Sequence, residues 1–471
     1  MRPPQFKSGV LVSVLSGVVA IGMLAAWLAS GPRHPQLERV PGTDKAPGSE
    51  LGSRGNAVLA GKLVVSQRAP AVSSNWSGAW PGFRGKERDG ISHDSKHLAR
   101  TWDNGGLRPI WTIEVGDGYA GAAVLNGRVY LMDYDRERKQ DALRCLALDD
   151  GGEVWRFAYP VSIKRNHGMS RTVPAVTERH VVGIGPKCHA VCLDAMSGEL
   201  KWGLDMVKQN GATVPPWYAG QNPLIAGDTV ILAPGGPQAL VMAVQLETGK
   251  TLWQTPNPHG WKMTHSSIMP MVVDGESMYV YCANGGVVGV SAKDGSLLWE
   301  TTAWKISIAT VPSPLVLSEG RIFLSGGYNA GSLMLQVKGV QGRWQADTLF
   351  KLEPEVFGAT QHTPIFFEEH IYGVRADGRF TCLDLQGKPV WTSEAGQQFG
   401  LGSFLAGDGL IYAMNDSGLL RLIEASPQKY KLLAQAQVLQ GHESWGPLAL
   451  ADGRLLARDL TRLVCLEVAR Q

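Results

Sequence analysis

The chain has 471 residues and a formal net charge of +3, and only 18% of its residues are charged. Its 57 glycines, 27 prolines and 15 tryptophans favour many short strands joined by tight turns over a helical protein. Because duplex binding requires a concentrated basic face, the near-neutral composition predicts no nucleic-acid partner.

The first feature along the chain is an apolar segment. Residues 8–32 carry no ionisable side chain, and residues 10–29 are apolar enough and long enough to cross a bilayer as a helix. The segment ends without a lipoprotein cysteine or a good signal-peptidase site. We therefore expect residues 1–30 to be an uncleaved, single-pass anchor. Residues 8–30 would hold the chain in the inner membrane, with the remainder on the periplasmic side.

A change of composition follows the apolar segment. Residues 31–75 are rich in proline, glycine and mixed charge, with Pro-Gly pairs at 41–42 and 47–48. This composition is typical of a flexible linker. We expect the globular part of the chain to occupy residues 76–471.

A tryptophan recurs along the globular part, at spacings of 44 to 51 residues where successive copies are intact, after an apolar strand and a glycine-containing turn. The recurring residues are Trp111, Trp155, Trp202, Trp253, Trp299 and Trp391. The long gap before Trp391 contains one more unit, in which Phe350 takes the place of tryptophan, and the unit after Trp391 has leucine instead. We predict that these side chains pack between neighbouring units and have a structural docking role.

Each unit also opens in the same way, with two apolar strands on either side of Asn-Gly, Asp-Gly or Gly-Asp, which is a hairpin signature. The last unit, residues 447–468, has three strands, and residues 108–115 supply the missing fourth. We therefore predict an all-β, eight-bladed β-propeller of four-stranded antiparallel blades, preceded by one transmembrane helix. The region around Trp111 should pair with the strand near Cys465 and close the ring. A seven-bladed ring, with residues 312–350 merged into a neighbour, is the alternative.

The unit endings resemble the blade-docking motif of PQQ-repeat β-propellers, and residues 192–202 and 246–253 are the most similar copies. Trp-Pro-Gly-Phe-Arg-Gly at residues 80–85, followed by Asp-Gly at 89–90, is similar to the entry motif of bacterial PQQ-binding-like propellers. The resemblance extends over about residues 76–469. It implies a relationship to BamB-type scaffolds of outer-membrane assembly and to quinoprotein alcohol dehydrogenases.

The dehydrogenase side of this resemblance implies PQQ with calcium, a catalytic aspartate and usually a vicinal disulfide. The sequence has six cysteines and no Cys-Cys pair, although Cys188 and Cys192 could face each other across a hairpin. The repeated Asp194 and Asp384 precede glycine in turns, where a carboxylate normally caps backbone amides. We therefore predict neither catalytic residues nor a metal site, and PQQ with calcium stays as the alternative.

Polar and aromatic residues collect where the units open. In a propeller, the start of each innermost strand lies near the mouth of the central channel, so these side chains are expected to line a funnel. The candidate ligand-binding residues are His167, Arg171, Trp217, Tyr218, Gln221, Asn222, His265, Gln361, His362, His442 and Trp445. The four histidines differ in their distance from the following proline, which does not favour convergence on one metal ion.

The sequence thus predicts a membrane-tethered, extracytoplasmic propeller that acts as a protein-interaction scaffold or a ligand-binding module rather than an enzyme. A protein or a small ligand is the expected partner. A PQQ-dependent oxidoreductase is the main alternative, and a carbohydrate-binding accessory protein is the third. Fold resemblance alone does not choose among these roles.

Overall fold

The structure is a computed structural model that describes residues 18–26, 55–67, 70–73, 75–102, 106–441 and 443–470. Residues 18–26 are helical, and they belong to a compact unit that is separate from the unit containing the strands. Within the described ranges, no helix combines the length and the apolarity that a membrane crossing requires. Most of the expected anchor lies outside the described residues, so the anchor stays a prediction.

Thirty-four strands in the described residues form eight sheets, which are the blades of a β-propeller. Three strands precede the first complete blade: β1 (Lys62–Val65), β2 (Ile91–Ser92) and β3 (Pro109–Glu114). Blade 1 consists of β4 (Ala122–Leu125), β5 (Arg128–Asp135), β6 (Gln140–Ala147) and β7 (Glu153–Pro160). Blade 2 consists of β8 (Ala175–Val176), β9 (His180–Ile184), β10 (His189–Asp194) and β11 (Leu200–Asp205).

Blades 3 to 8 follow in chain order. Blade 3 consists of β12 (Leu224–Ala226), β13 (Thr229–Leu232), β14 (Met242–Gln245) and β15 (Thr251–Gln254). Blade 4 consists of β16 (Met269–Val273), β17 (Glu276–Ala283), β18 (Gly286–Ser291) and β19 (Leu297–Thr301). Blade 5 consists of β20 (Leu315–Val316), β21 (Arg321–Gly326), β22 (Gly331–Val340) and β23 (Arg343–Leu352). Blade 6 consists of β24 (Ile365–Phe367), β25 (His370–Val374), β26 (Phe380–Leu383) and β27 (Pro389–Thr392). Blade 7 consists of β28 (Phe404–Gly407), β29 (Leu410–Met414), β30 (Leu419–Glu424) and β31 (Leu432–Gln437). Blade 8 contains β32 (Ala449–Ala451), β33 (Arg454–Arg458) and β34 (Arg462–Glu467).

The helical segments of this unit are short. They are α1 (Met206–Asn210) and two 3-10 turns, Ala57–Ala60 and Ser318–Gly320. Each connects or flanks strands, and the core consists of apolar residues that alternate along the strands and fill the space between adjacent blades.

The ring closes as predicted. Strand β3 pairs antiparallel with β34, and Trp111 lies opposite Cys465 in that register. The N-terminal strand is therefore the outermost strand of blade 8, and the pairing covers an edge that would otherwise be open. The seven-bladed alternative is wrong, because β20 to β23 form a four-stranded sheet of their own.

The expected linker through residue 75 differs from the structure over residues 55–67. Strand β1 pairs antiparallel with β7 and adds a fifth strand to blade 1. Val58, just before it, is fully buried, and the Asn56 side-chain amide donates to the Gly203 carbonyl of blade 2 at 2.7 Å. This four-residue strand has no hairpin partner next to it in the sequence. Its composition alone therefore predicted a linker.

Five of the recurring aromatic residues lie between blades, each over a glycine in an outer turn of the next blade. The pairs are Trp111 on Gly151, Trp155 on Gly198, Trp202 on Gly249, Trp253 on Gly295 and Phe350 on Gly387. All five glycines have positive φ, and a Cβ added to them would lie 2.3–2.8 Å from the ring. The indole N–H groups of Trp111, Trp202 and Trp391 also donate to a carbonyl of the next blade. These contacts join the blades by packing and hydrogen bonding.

Three units depart from this pattern. Among the described residues, Trp391 of blade 6 faces no such glycine and keeps only its hydrogen bond to the Ser426 carbonyl. The indole of Trp299 contacts the Met278 sulfur of its own blade at 3.3 Å. In blade 7, the expectation of leucine at the docking position is wrong. Ala434 lies opposite Leu422 next to the register shift, where the other blades have the aromatic residue. The β-bulge sets this register, and hydrophobic spacing alone did not reveal it.

Two glycines allow the energetic effect of the docking contact to be distinguished from that of backbone strain. Gly198 has φ +79° and faces the Trp155 ring, whereas Gly275 has φ +83° and no atom within 4 Å of an added Cβ. We expect Gly275→Ala to cost about 1–2 kcal/mol of unfolding free energy, because L residues resist this backbone conformation. Gly198→Ala should cost about 1–3 kcal/mol more through the clash with the ring. Urea unfolding of both variants tests this, and equal losses would count against interblade docking.

All six cysteines are buried free thiols, so Cys188 and Cys192 do not form a disulfide. Burial raises the pKa of each of these thiols above its ordinary value. A buried, protonated thiol reacts slowly with oxidants, and these cysteines serve as small core residues.

Candidate ligand-binding site

A segment that precedes the blades crosses the centre of the ring. We call residues 80–92 the plug. Trp80 makes two backbone hydrogen bonds with Val124 on the innermost strand of blade 1, and Val176 of blade 2 donates to the carbonyl of Pro81. At its other end, β2 pairs in parallel with β28 of blade 7. The plug is therefore hydrogen-bonded to the inner strands on both sides of the channel.

Two buried arginines fix the middle of the plug. Arg84 donates to the Pro364 carbonyl at the start of blade 6, at 2.8 Å. Arg88 donates to the carbonyls of Pro223 and Ile268, which lie just before the inner strands of blades 3 and 4. Burial lowers the pKa of each guanidinium to about 10, so both stay charged at neutral pH. The entry motif noted in the sequence thus closes the channel floor.

The plug forms the floor of a cavity of about 320 Å³ at the mouth of the propeller. The walls come from the segments before the innermost strands of all eight blades. The residues that contribute are Tyr119, His167, Arg171, Trp217, Gly220, Asn222, His265, Ala309, Val311, Gln361, His362, Thr363, Leu401, Ser403, Phe404, Trp445, Pro447 and Leu448. Tyr328 adds a wall from the β21–β22 turn, and Trp80, Phe83, Arg84 and Gly90 come from the plug. The volume is at the lower end of small-molecule sites.

Most of the residues predicted from the sequence lie together in this cavity. They are His167, Arg171, Trp217, Asn222, His265, Gln361, His362 and Trp445. Two others bind the backbone nearby: the Tyr218 hydroxyl donates to the Lys164 carbonyl, and the Gln221 amide bonds both backbone groups of Ala233. His442 lies outside the described residues.

Sequence reasoning missed two groups of lining residues. Tyr119, Ser403 and Phe404 occupy the openings of their units, so the same positional rule could have found them. The plug residues are not part of the repeat, and no repeat-based rule could have placed them at the channel floor.

Arg171 lies at the centre of an aromatic group. Its guanidinium carbon is 4.9 Å from the centroid of the Tyr119 ring, and the Tyr119 and Trp445 rings are 5.2 Å apart. Arg171 Nε donates to the Trp217 carbonyl at 2.5 Å, and Nη2 donates to the Asn166 carbonyl at 3.2 Å. Burial lowers the pKa of Arg171 to about 10, and the group stays cationic at neutral pH. Both of these bonds go to neutral carbonyls, and the Glu443 carboxylate acts on the guanidinium only through space.

The nearest carboxylate to this group lies on the rim. Glu443 accepts a hydrogen bond from the Tyr119 hydroxyl at 2.7 Å and lies 3.8 Å from His167 Nδ1. No aspartate or glutamate is among the described residues that line the cavity. The cavity therefore presents guanidinium charge and aromatic surface rather than carboxylates.

Two buried histidines in the wall are neutral. Burial, with Arg171 nearby, lowers the pKa of His265 to about 3, and burial lowers that of His362 to about 4. His362 is 7% exposed, and its ring lies against the backbone of Leu401 and Gly402 without a well-formed hydrogen bond in the described residues. The buried Nε2 of His265 is also without a partner there. Unbonded buried nitrogens of this kind are costly to the protein alone.

The low pKa of His362 predicts an acid-dependent loss of stability. The unfolded chain takes up a proton near the ordinary pKa of 6.5, while the folded chain resists protonation down to about pH 4. Stability is therefore complete above about pH 6.5 and falls as the pH drops toward 4. We expect wild type to lose roughly 1–2 kcal/mol more than His362→Phe between pH 7 and pH 5. Urea unfolding at both values tests this, and equal losses in the two proteins would contradict it.

The backbone is strained around the mouth. Three non-glycine residues there, outside the hairpin turns, have positive φ: His167 (56°), Tyr218 (68°) and Glu443 (58°). Bulky residues rarely adopt this conformation outside tight hairpin turns. Strain of this kind concentrates at ligand-binding sites, where the surrounding structure holds it in place.

The residues present do not fit PQQ held by calcium. Calcium takes six to eight oxygen ligands, among which carboxylates are prominent. The described lining has no carboxylate, and the Asn222 oxygen already accepts from the Val173 N–H at 2.6 Å. The described residues also contain no group of three or more His, Cys, Asp or Glu side chains placed to hold a metal ion. We therefore derive no redox step at this site.

Comparison with known proteins agrees with the repeat pattern. A family model described as "Outer membrane protein assembly factor BamB" matches residues 138–393. BamB of Moranella endobia (strain PCIT) is 23% identical over 241 residues, which are 50% of this chain and 59% of the relative. BamB of Yersinia pestis is 24% identical over 256 residues, 44% of this chain and 64% of the relative. The matched part thus spans less than two thirds of these relatives.

Among solved structures, the crystal structure of BamB from Moraxella catarrhalis aligns with a TM-score of 0.54 and 15% identity. The alignment covers 77% of this chain and 99% of that one. At this identity the likeness concerns the fold. The family model covers more than half of the residues, and the chain therefore belongs to the PQQ-repeat β-propeller family described as outer membrane protein assembly factor BamB.

Proposed function

We propose that this chain is an extracytoplasmic scaffold that binds a protein partner in outer-membrane protein assembly through the mouth of its propeller. The relatives are named outer membrane protein assembly factors, which supports a role in that assembly. The observation that carries the proposal is the composition of the mouth, where Trp217, Tyr328 and Trp445 line the same cavity as Arg171. Tryptophan, tyrosine and arginine are the residues that most often dominate binding energy at protein interfaces.

The same residues give little support to catalysis. A catalytic histidine usually has a second group that orients it and a nucleophile within reach. Within the described residues, His265 and His362 make no hydrogen bond to a carboxylate, and burial keeps both neutral. A recognition surface accounts for the arrangement better than an acid–base pair does.

The proposal includes a tether. Residues 8–30 would hold the chain in the inner membrane, with the propeller in the periplasm. The absence of ionisable side chains from residues 8–32 supports this placement. Protease added to spheroplasts should digest the propeller of the full-length chain. Complete protection in intact spheroplasts, with digestion after lysis, would contradict the periplasmic placement.

Complementation tests the scaffold role. In cells that lack the gene, wild type should restore the amount of folded outer-membrane protein, whereas the double variant Trp217→Ala, Trp445→Ala should not. Loss of two such anchors is expected to weaken binding by roughly 30-fold or more. The matched control is Leu252→Ala, Val390→Ala, on outer strands, where these side chains are 49% and 43% exposed. Full restoration by a stably folded mouth variant would refute the proposal.

A further inference from the structure

We propose that the mouth cavity binds a carboxylate carried on an aromatic or aliphatic group. This inference rests on the proposed binding role of the mouth and names the chemistry that the cavity recognises. Such a group occurs in a free organic acid and at the C-terminal residue of a protein chain. The two sources share one recognition chemistry, and the experiment below separates them.

The charge of the cavity favours an anion. Arg84 and Arg171 line it, and no described lining residue is acidic. The Nε and both Nη atoms of Arg84 already donate to carbonyls. Arg171 bonds carbonyls through Nε and Nη2, and no described residue accepts a hydrogen bond from its Nη1. A carboxylate at this position would pair directly a buried charge that now contacts neutral carbonyls and the Tyr119 ring, with the Glu443 carboxylate acting on it through space.

Glu443 does not fill this role. Its carboxylate lies on the rim, where the Tyr119 hydroxyl holds one oxygen at 2.7 Å and His167 lies 3.8 Å from the other. Tyr119 lies between Glu443 and Arg171, with its ring under the guanidinium and its hydroxyl on the acid. Glu443 thus fixes the aromatic wall and leaves the Arg171 Nη1 position to a ligand.

The neutral histidines complete the polar side of the site. A neutral imidazole carries one N–H donor, which a carboxylate oxygen can accept. The Nε2 of His265 is buried in the cavity wall without a partner in the described structure, and His362 makes only weak contacts there with the backbone of Leu401 and Gly402. The one N–H of neutral His362 would donate to an acceptor on a ligand, whereas the Nε2 of His265 would accept from a donor, because the other nitrogen of His265 bonds the Tyr218 backbone.

The remaining walls are apolar. Trp80 and Phe83 of the plug, together with Phe404 and Val311, face the same space. Because plug residues form the floor, we expect a ligand to enter from the mouth. A hydrophobic group would lie against the aromatic rings while its carboxylate reaches Arg171, which fits an acid with one apolar substituent.

Calorimetric titration of the purified full-length chain tests the inference. The probes are 3-phenylpropionate and 3-phenylpropionamide, and a tetrapeptide ending in phenylalanine as the free acid or the amide. We expect at least one acid to bind roughly 10- to 100-fold more tightly than its amide, as a charge-assisted hydrogen bond predicts. Arg171→Gln should abolish that preference. The control Arg165→Gln, at an exposed rim arginine paired with Asp117, should retain it.

A second variant keeps the inference testable if Arg171→Gln fails to fold. Val311→Trp fills the cavity from its wall without changing Arg171, and it should also abolish acid binding. If only 3-phenylpropionate binds, the ligand is a small organic acid. If the tetrapeptide acid binds, the ligand is the C-terminus of a protein chain. Equal affinity for acid and amide, or retention of the preference in folded Arg171→Gln, would overturn the inference. If carboxylate binding is refuted but the mouth variants still fail in complementation, the scaffold role stands without the carboxylate site.

Discussion

Trp111→Ala is expected to lower the free energy of unfolding by about 3–5 kcal/mol, the usual cost of removing a buried tryptophan. Trp111 is 8% exposed, lies over Gly151 of blade 1 and donates to the Leu148 carbonyl at 2.9 Å. It is also on the strand that completes blade 8. Its loss therefore weakens the junction that keeps the ring shut, and the N-terminal strand should become accessible to protease.

Ile110→Ala is the matched control for this prediction. Ile110 is the preceding residue on the same strand, but it is 41% exposed and contributes little to the core. We expect it to cost less than about 1 kcal/mol. Denaturant unfolding and limited proteolysis of both variants measure the difference. If Trp111→Ala is no less stable than Ile110→Ala, closure by β3 does not stabilise the ring.

Arg84→Met is expected to destabilise the protein by about 3 kcal/mol and to release the plug. The guanidinium donates to the carbonyls of Asp89, Thr363 and Pro364, and the thioether leaves these buried acceptors unbonded. An unsatisfied buried group costs about 1–3 kcal/mol, and the smaller desolvation cost of methionine offsets part of the sum. Amide hydrogens of residues 80–92 should exchange faster in the variant.

Lys86→Met is the control, since Lys86 is exposed on the same segment. It should leave the exchange of residues 80–92 and the unfolding free energy close to those of wild type. If the amide hydrogens of residues 80–92 exchanged no faster in Arg84→Met than in this control, Arg84 would not hold the plug in place.

The repeat made the ring predictable. Hairpin turns and the tryptophan spacing define the blades, and the three-stranded last unit requires a strand from the N-terminus, which the Trp111–Cys465 pairing provides. The same logic located much of the site, because residues that open the units must converge at one end of the ring. It could not tell which side chains face the channel. Tyr218 and Gln221 lie in such openings and turn instead toward backbone groups.

The position of the plug could not be predicted from the sequence, for a physical reason. Its arginine contacts join residues as far apart as Arg84 and Pro364, which are 280 positions apart in the chain. No local periodicity encodes a contact between one irregular segment and the inner strands of several blades. Strand β1 was not predicted for a related reason: its partner β7 comes after five intervening strands, and the paired residues, such as Val65 and Trp155, are at least 90 positions apart.

Site-specific photo-cross-linking tests the central claim, that the mouth of the propeller is the binding surface. A photoreactive phenylalanine at Tyr328, which is 44% exposed at the mouth, is compared in the full-length chain with the same probe at Leu252 on an outer strand. The account predicts a discrete adduct with one envelope protein from position 328 and none from 252. Adducts from 252 alone, or equal labelling at both positions, would contradict it.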